Sequence, residues 1–358
     1  MPRSARPNAR WRYWKGSVRR AKDGDGFLKA LTSFILVLVV AALAFAGGET
    51  KSCRVFLGCI LPYTAMAAFL VGIVYRVLKW ASSPVPFNIP TTCGQQKSLG
   101  WIKPSWIESP YTKLGVAVRM ALEILLFRSL FRNTRAEIRR DGPRLLYFED
   151  KWLWLGTLAF HWSMLLIVLR HLRFFVEPVP RFVFVIDGVD GFLQIGAPQI
   201  LISDVVIVVA LLYLLQRRFA DPKVRYISLF ADYLALFLLL GIAISGILMR
   251  YFFKVDLEAV KQLAIGLVTF SPTVPASIGV LFFVHLTMVS FLLAYFPFSK
   301  LVHMGGVFLS PTRNLANDSR MRRHVNPWDY PVKVHTYQEW EAEFHDKIKT
   351  ADLPLERE

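Results

Sequence analysis

Six charge-poor apolar runs divide the chain, at approximately 31–47, 56–76, 152–172, 199–216, 226–249 and 278–299. A helix crosses the hydrocarbon core of a bilayer with about 20 apolar residues. The pattern therefore predicts an all-α integral membrane fold with six transmembrane helices. The fourth run is short, and the first is bounded closely by Lys29 and Gly47. Ala44-Phe45-Ala46 resembles a signal-peptide cleavage site, but 29 residues precede the run, long for the basic segment of such a peptide. The first run is read as a membrane anchor, added beside the others because no polar group marks it as part of a site.

Between the runs lie five stretches of other character. Residues 1–29 form a basic arm ahead of two spans at 30–78. An insertion follows at 79–151, irregular at first, then helical over 115–131, with Arg119, Glu123 and Arg128 near helical spacing. That amphipathic helix lies at the membrane interface or against a partner. Residues 152–299 hold four spans, and 300–358 form a tail. The 173–198 loop contains two glycine turns, Asp187-Gly188 and Asp190-Gly191, and the 251–275 loop one short helix.

Charge orients these pieces. The net charge of +17 invites a nucleic-acid reading, but its distribution argues for a membrane instead. Residues 1–29 hold nine Lys/Arg against two acids, 79–151 twelve against six, and 217–225 four against one. The alternate loops, 48–55, 173–198 and 251–275, together hold six of each sign. The excess on one side follows the positive-inside rule. It predicts a multi-pass membrane protein with both termini cytoplasmic. The tail carries nine Lys/Arg and nine acids and reads as a docking arm for a soluble partner.

Chemistry enters with the histidines. His161 and His171 lie on the third span; His285 lies on the sixth and His303 just past it. Ionisable side chains at membrane depth are costly and mark function. His161 and His171 differ in height by roughly 15 Å and in azimuth by about 80°. His285 and His303 share a face if the helix continues, and Pro297 is placed to kink it. The two spans are antiparallel, so the pairing must be crossed: His161 with His303 near the inside, His171 with His285 near the outside. Two imidazoles per level suit two haems b held by axial pairs, an electron carrier without an open iron position. Arg170, Arg173 and Arg250 stand at outer span ends as partners for haem propionates; the alternative is that they snorkel to the interface. His324, His335 and His345 lie in the polar tail and are read as non-ligands. The three cysteines, Cys53, Cys59 and Cys93, cannot hold a cubane iron–sulfur cluster, which needs four thiolates.

The spacing His-x9-His on one span and His-x17-His ending the last resembles the dihaem cytochrome b (gamma) subunit of respiratory nitrate reductase. The nearer likeness is to the DsrM family, the membrane cytochrome b of DsrMKJOP complexes in sulfate reducers and sulfur oxidisers. RVLKWASSPVPFNIPTTCGQQKSLGWIKP, KWLWLGTLAFHWSMLLIVLRHLRFF, ISGILMRYF and LLAYFPFSKLVHMGGVFLSPTRNLAND carry it, over roughly 55–328. The resemblance implies that His161 and His303 bind the cytoplasmic-side haem, and His171 and His285 the outer one. It implies a bacterial or archaeal cytoplasmic membrane as the location. It implies quinone chemistry near the outer haem, with the remaining DsrMKJOP subunits as partners, among them a cytoplasmic iron–sulfur subunit, DsrK.

The expectation is a redox subunit of a quinone-linked oxidoreductase complex in sulfur metabolism. Menaquinol gives up two electrons and two protons near the outer haem, and the electrons cross to the cytoplasmic partner. Asp204, near the outer end of the fourth span, is the best-placed carboxylate to accept a proton, with burial raising its pKa. Its plainer reading is a span-end carboxylate facing headgroups. Two alternatives stay open: a cytochrome b serving a heterodisulfide-reductase-like partner, and a haem-free proton-coupled transporter.

Overall fold

The computed structural model describes residues 9–84, 94–138, 145–191, 199–321 and 331–356. Cys93 and His324 lie outside the described residues, as do the first residues of the basic arm. Helices α1 (Ala9–Gly48) and α2 (Lys51–Ala81) come first, with one π-helical turn at Phe56–Ile60. In the insertion, α3 (Lys113–Leu126) and α4 (Arg128–Phe131) precede strands β1 (Thr134–Ile138) and β2 (Leu145–Glu149). Then follow α5 (Lys151–Phe175), α6 (Arg181–Asp190), α7 (Ile202–Ala220), α8 (Pro222–Ile227), α9 (Phe230–Tyr251) and α10 (Leu257–Val268). The last are α11 (Val280–Tyr295), α12 (His303–Leu309), α13 (Pro311–Asn314) and α14 (Tyr337–Thr350).

Among the described residues, five helices are long and apolar enough to cross a membrane: Asp25–Gly48, Lys51–Ala81, Lys151–Phe175, Phe230–Tyr251 and Val280–Phe298. Their outward faces are apolar, with Leu43, Val71 and Leu78 exposed. Helix α7, the fourth predicted span, runs beside them but carries Asp204 in its first turn and Arg217 and Arg218 in its last. Its uncharged stretch is correspondingly short.

The first span is part of the core, not an addition to it. Val37 and Ala44 of α1 pack with Leu234 and Leu238 of α9 and Val284 and Met288 of α11. The Ser33 hydroxyl donates to the Phe230 carbonyl at 3.0 Å. A second cluster joins α5, α7 and α9 through Phe160, Met164, Ile207, Leu211 and Leu239. Two glycines permit close crossings. A Cβ on Gly156 would lie 2.5 Å from the Tyr213 ring, and one on Gly72 would lie 2.6 Å from Pro297.

The structure refines three local expectations. The insertion contains an antiparallel hairpin, β1 against β2, with Thr134 opposite Glu149 and Ile138 opposite Leu145, so the fold is mostly rather than wholly helical. Asp187-Gly188 lies inside α6 instead of forming a turn. The sixth span ends short of His303, at the kink that Pro297 was placed to make. It leaves α-helix at Phe296, where Pro297 lacks the amide that continued helix requires. Ser299 is extended (φ −107°, ψ 177°), and a new helix begins at His303.

The insertion and the start of the tail fold together. Arg119 is buried and donates to the Thr312 carbonyl at 2.8 Å, and also to that of Arg313. Asn317 N donates to the Pro110 carbonyl at 2.7 Å, and Gln96 Nε2 to Ser319 Oγ at 3.3 Å. We call this side of the bundle the insertion end. Helices α6 and α10 cap the far end. There Asp256 caps α10 by accepting from Glu258 N and Ala259 N. The Ala259 amide and the Ser277 hydroxyl hold this carboxyl below its usual range.

Candidate functional site

The four histidines of the third and sixth predicted spans meet as two pairs. At the insertion end the ring centres of His161 and His303 stand 6.0 Å apart, with their planes at 80°. At the far end His171 and His285 lie within electrostatic range of each other. The break at Pro297 and Ser299 brings His303 to His161; a straight helix would carry it past.

Each ring is oriented through Nδ1. His161 Nδ1 faces the Thr157 carbonyl at 2.8 Å, His171 Nδ1 that of Ile167 at 2.7 Å, and His303 Nδ1 that of Lys300 at 2.8 Å. A carbonyl only accepts, so each Nδ1 carries the proton and Nε2 keeps its lone pair. His285 Nδ1 meets Ser245 Oγ at 2.9 Å, and Ser245 Oγ donates to the Ile242 carbonyl at 3.0 Å. When the hydroxyl proton goes to Ile242, Ser245 Oγ accepts from His285 Nδ1. Metal-bound histidines characteristically donate their second nitrogen in this way.

The spacing of the pair at the insertion end fits the axial ligands of one haem b. Two imidazole nitrogens that held one metal atom from opposite sides, each at about 2 Å as in zinc sites, would stand about 4 Å apart with their ring centres somewhat further. The 6.0 Å between His161 and His303 matches that span. Among the described residues no three His, Cys, Asp or Glu side chains cluster to hold a bare ion. Pairs of imidazoles suit a macrocycle that brings its own four nitrogens.

The two pairs sit in different surroundings. Around His161 they are aromatic: Phe127 and Phe160 each approach edge-on, ring centres 4.9 Å away. Phe127 joins α3 to α4 in the left-handed region (φ 49°, ψ 48°), which costs a residue with a Cβ roughly 1–2 kcal/mol. Beside His171 lies a buried ionic cluster. Arg170 bonds Asp190 Oδ2 at 3.2 Å, Asp204 Oδ1 at 3.1 Å and Ser203 Oγ at 3.0 Å. Asp190 also accepts from Ser203 N at 2.7 Å and Oγ at 2.6 Å. Tyr251 donates to Asp204 Oδ2 at 2.9 Å and accepts from Leu201 N at 3.0 Å.

The expected polar residues divide accordingly. Asp204 is a paired carboxylate, held by Arg170 and Tyr251, and does not stand alone facing headgroups. Arg170 is engaged twice over, yet its Nε is buried and lacks a partner among the described residues. That orphaned donor matches the need of a propionate. Arg173 pairs with Asp187. Arg250 lies over the Tyr251 ring, 5.6 Å from its centre, and forms no ion pair among the described residues. His335 Nδ1 lies 3.7 Å from the Glu343 carboxylate.

Ser245, Asp190, Ser203 and Tyr251 were not singled out from sequence. Ser245 lies in ISGILMRYF, a segment carrying the resemblance, but nothing in its spacing points to His285. Asp190 reads as a turn former until α6 folds back on α7.

The nitrate reductase gamma subunit family matches residues 106–323. The Hdr-like menaquinol oxidoreductase cytochrome b-like subunit of Archaeoglobus fulgidus is 49% identical over 282 residues, 77% of this chain and 84% of the relative. Its counterpart from Archaeoglobus profundus is 46% identical over 276 residues, 75% of this chain and 81% of the relative.

Proposed function

The chain belongs to the nitrate reductase gamma subunit family, and from that premise we propose that it is a dihaem membrane cytochrome b of the DsrM type, exchanging electrons with menaquinone at its far end and with a cytoplasmic iron–sulfur subunit at its insertion end. The observation that carries this reading is the set of four histidines, each with Nδ1 engaged and Nε2 available, paired at two levels. When bound, two haems b would supply one-electron redox chemistry at the two depths of the bilayer. His161 and His303 hold one, and His171 and His285 the other. Helix α7 serves as a sixth span, its end charges at the two interfaces.

Quinol oxidation releases protons, and the far end has groups to receive them. Asp204 is the acceptor nearest His171, and Tyr251 and Arg170 hold its two oxygens in place. Arg170 Nε also offers a propionate its hydrogen bond. The relatives' name, Hdr-like menaquinol oxidoreductase cytochrome b-like subunit, supports menaquinol as the substrate. Its Hdr-like element supports the alternative, a heterodisulfide-reductase-like partner in place of the DsrK-like one. Work in sulfur metabolism is part of the same proposal.

A reduced-minus-oxidised visible spectrum with a haem-to-protein ratio tests it. Two haems b per chain are expected. A colourless protein from haem-replete cells would overturn the reading in favour of a proton-coupled transporter.

A further inference from the structure

We infer that Phe127, at the elbow between α3 and α4, is a positioning residue that sets the ring plane of His161 and so couples the insertion to the insertion-end metal site. The inference rests on the dihaem reading and adds a residue to it. The elbow is unusual for its residue type. A helix that ends in a left-handed residue normally places glycine there, because a Cβ is strained in that conformation. Here the position holds phenylalanine, at φ 49°.

The surroundings over-determine this conformation. Phe127 N donates back to the Leu122 carbonyl. The freed carbonyls at the end of α3 accept from two indoles of α5: Leu126 from Trp154 Nε1 at 2.7 Å, and Leu125 from Trp162 Nε1 at 3.0 Å. Glu123 braces the far side of the elbow, accepting from Ser129 N at 3.2 Å and from the Ser129 hydroxyl. Arg313 holds Glu123 in turn, at 3.1 Å.

All this holds one ring against His161. The contact is edge-on, at 85° and 4.9 Å between centres. Phe160 makes a similar contact at 79°. The Thr157 carbonyl fixes one ring nitrogen but leaves the ring free to swing about that bond. Phe127 and Phe160 close off the swing, and the plane they leave is 80° from that of His303. Strain kept at one residue, supported by several bonds and aimed at a functional group, is the pattern expected of a functional constraint.

Phe127→Gly tests this, because it removes the ring and relieves the backbone together. In the purified holoprotein, the low-spin ferric resonance reports the angle between the two axial imidazole planes at each haem. The expected result is a displaced resonance and a shifted midpoint potential for one haem of the two. The other haem, the thermal stability and the haem-to-protein ratio should hold or improve. Phe127→Tyr should restore the original signal, since it keeps the edge contact. If the glycine variant does not fold, Phe127→Leu, which keeps bulk without an aromatic edge, is read in the same way. Two unmoved haem signals, or two moved equally, would overturn the inference while leaving the dihaem reading intact. A parent protein without two haems would sink that reading first.

Discussion

The two ends of the histidine ladder are built from opposite materials. His161 is walled by Phe127 and Phe160, and behind them stands the insertion, tied to the tail. His171 adjoins a buried cluster of one arginine, two aspartates, a serine and a tyrosine. The contrast follows the chemistry proposed for each end. Exchange with a quinone moves protons and needs polar groups that can hold them. Exchange of electrons with a protein partner needs no proton acceptor and is served by a rigid apolar wall.

The largest effect should come from the ligands. His171→Ala should reduce the haem content from two per chain to one, as should His161→Ala. The crossed pairing makes a sharper demand of double variants. His171→Ala with His285→Ala should lose no more than either alone, whereas His161→Ala with His285→Ala should lose both haems. A pyridine haemochrome ratio decides it; the reverse pattern would break the assignment of the ends.

Next in size is Arg170→Met. It strands Asp190 and Asp204 as buried carboxylates, and removing one partner of a buried ion pair costs about 3–5 kcal/mol. Thermal unfolding should fall accordingly, with the loss of haem confined to the far end. Loss at the insertion end alone would contradict the layout. Asp204→Asn keeps the shape and removes the charge. It should slow haem reduction by a menaquinol analogue while leaving dithionite reduction unchanged; unaltered quinol kinetics would remove Asp204 from the mechanism.

The smallest effect concerns the insertion. Glu108 accepts from Arg128 Nε at 3.1 Å and also pairs with Arg132. Burial pushes its carboxyl up, but the two guanidiniums outweigh burial and hold it below its ordinary 4.5. Because the folded value is depressed, the stabilisation is present above 4.5 and is lost as pH falls through that lower value. Glu108→Gln should therefore expose the insertion to limited proteolysis at neutral pH. The difference from the parent should shrink in acid, and an equal difference at all pH values would show that the ion pairs contribute nothing.

Much of this architecture was legible in the residues, and the reasons are physical. A bilayer imposes a length and an apolarity on whatever crosses it, so the spans at Asp25–Gly48 and Phe230–Tyr251 announce themselves in any window of sequence. Histidine is costly at that depth, which made His161, His171 and His285 conspicuous, and the spacing from His285 drew in His303 just past the last run. A short helix with charged ends, α7, is harder to read, because its end charges cut into the window that defines a span. The π turn of α2 and the hairpin of the insertion carry no comparable signal.

The sequence by itself determined the apolar helices and the residue types that can serve a redox centre, since both follow from local composition and spacing. The crossed histidine pairing also followed from the antiparallel spans; the tertiary structure decided how that pairing is reached and which polar groups join it. The break at Pro297 and Ser299 returns His303 to His161. The fold of α6 onto α7 turns Asp190 from a turn residue into a partner of Arg170. Ser245 reaches His285 because α9 and α11 pack side by side. Such contacts join residues far apart in the chain, and they depend on packing angles and on the closing of loops, which no local pattern encodes.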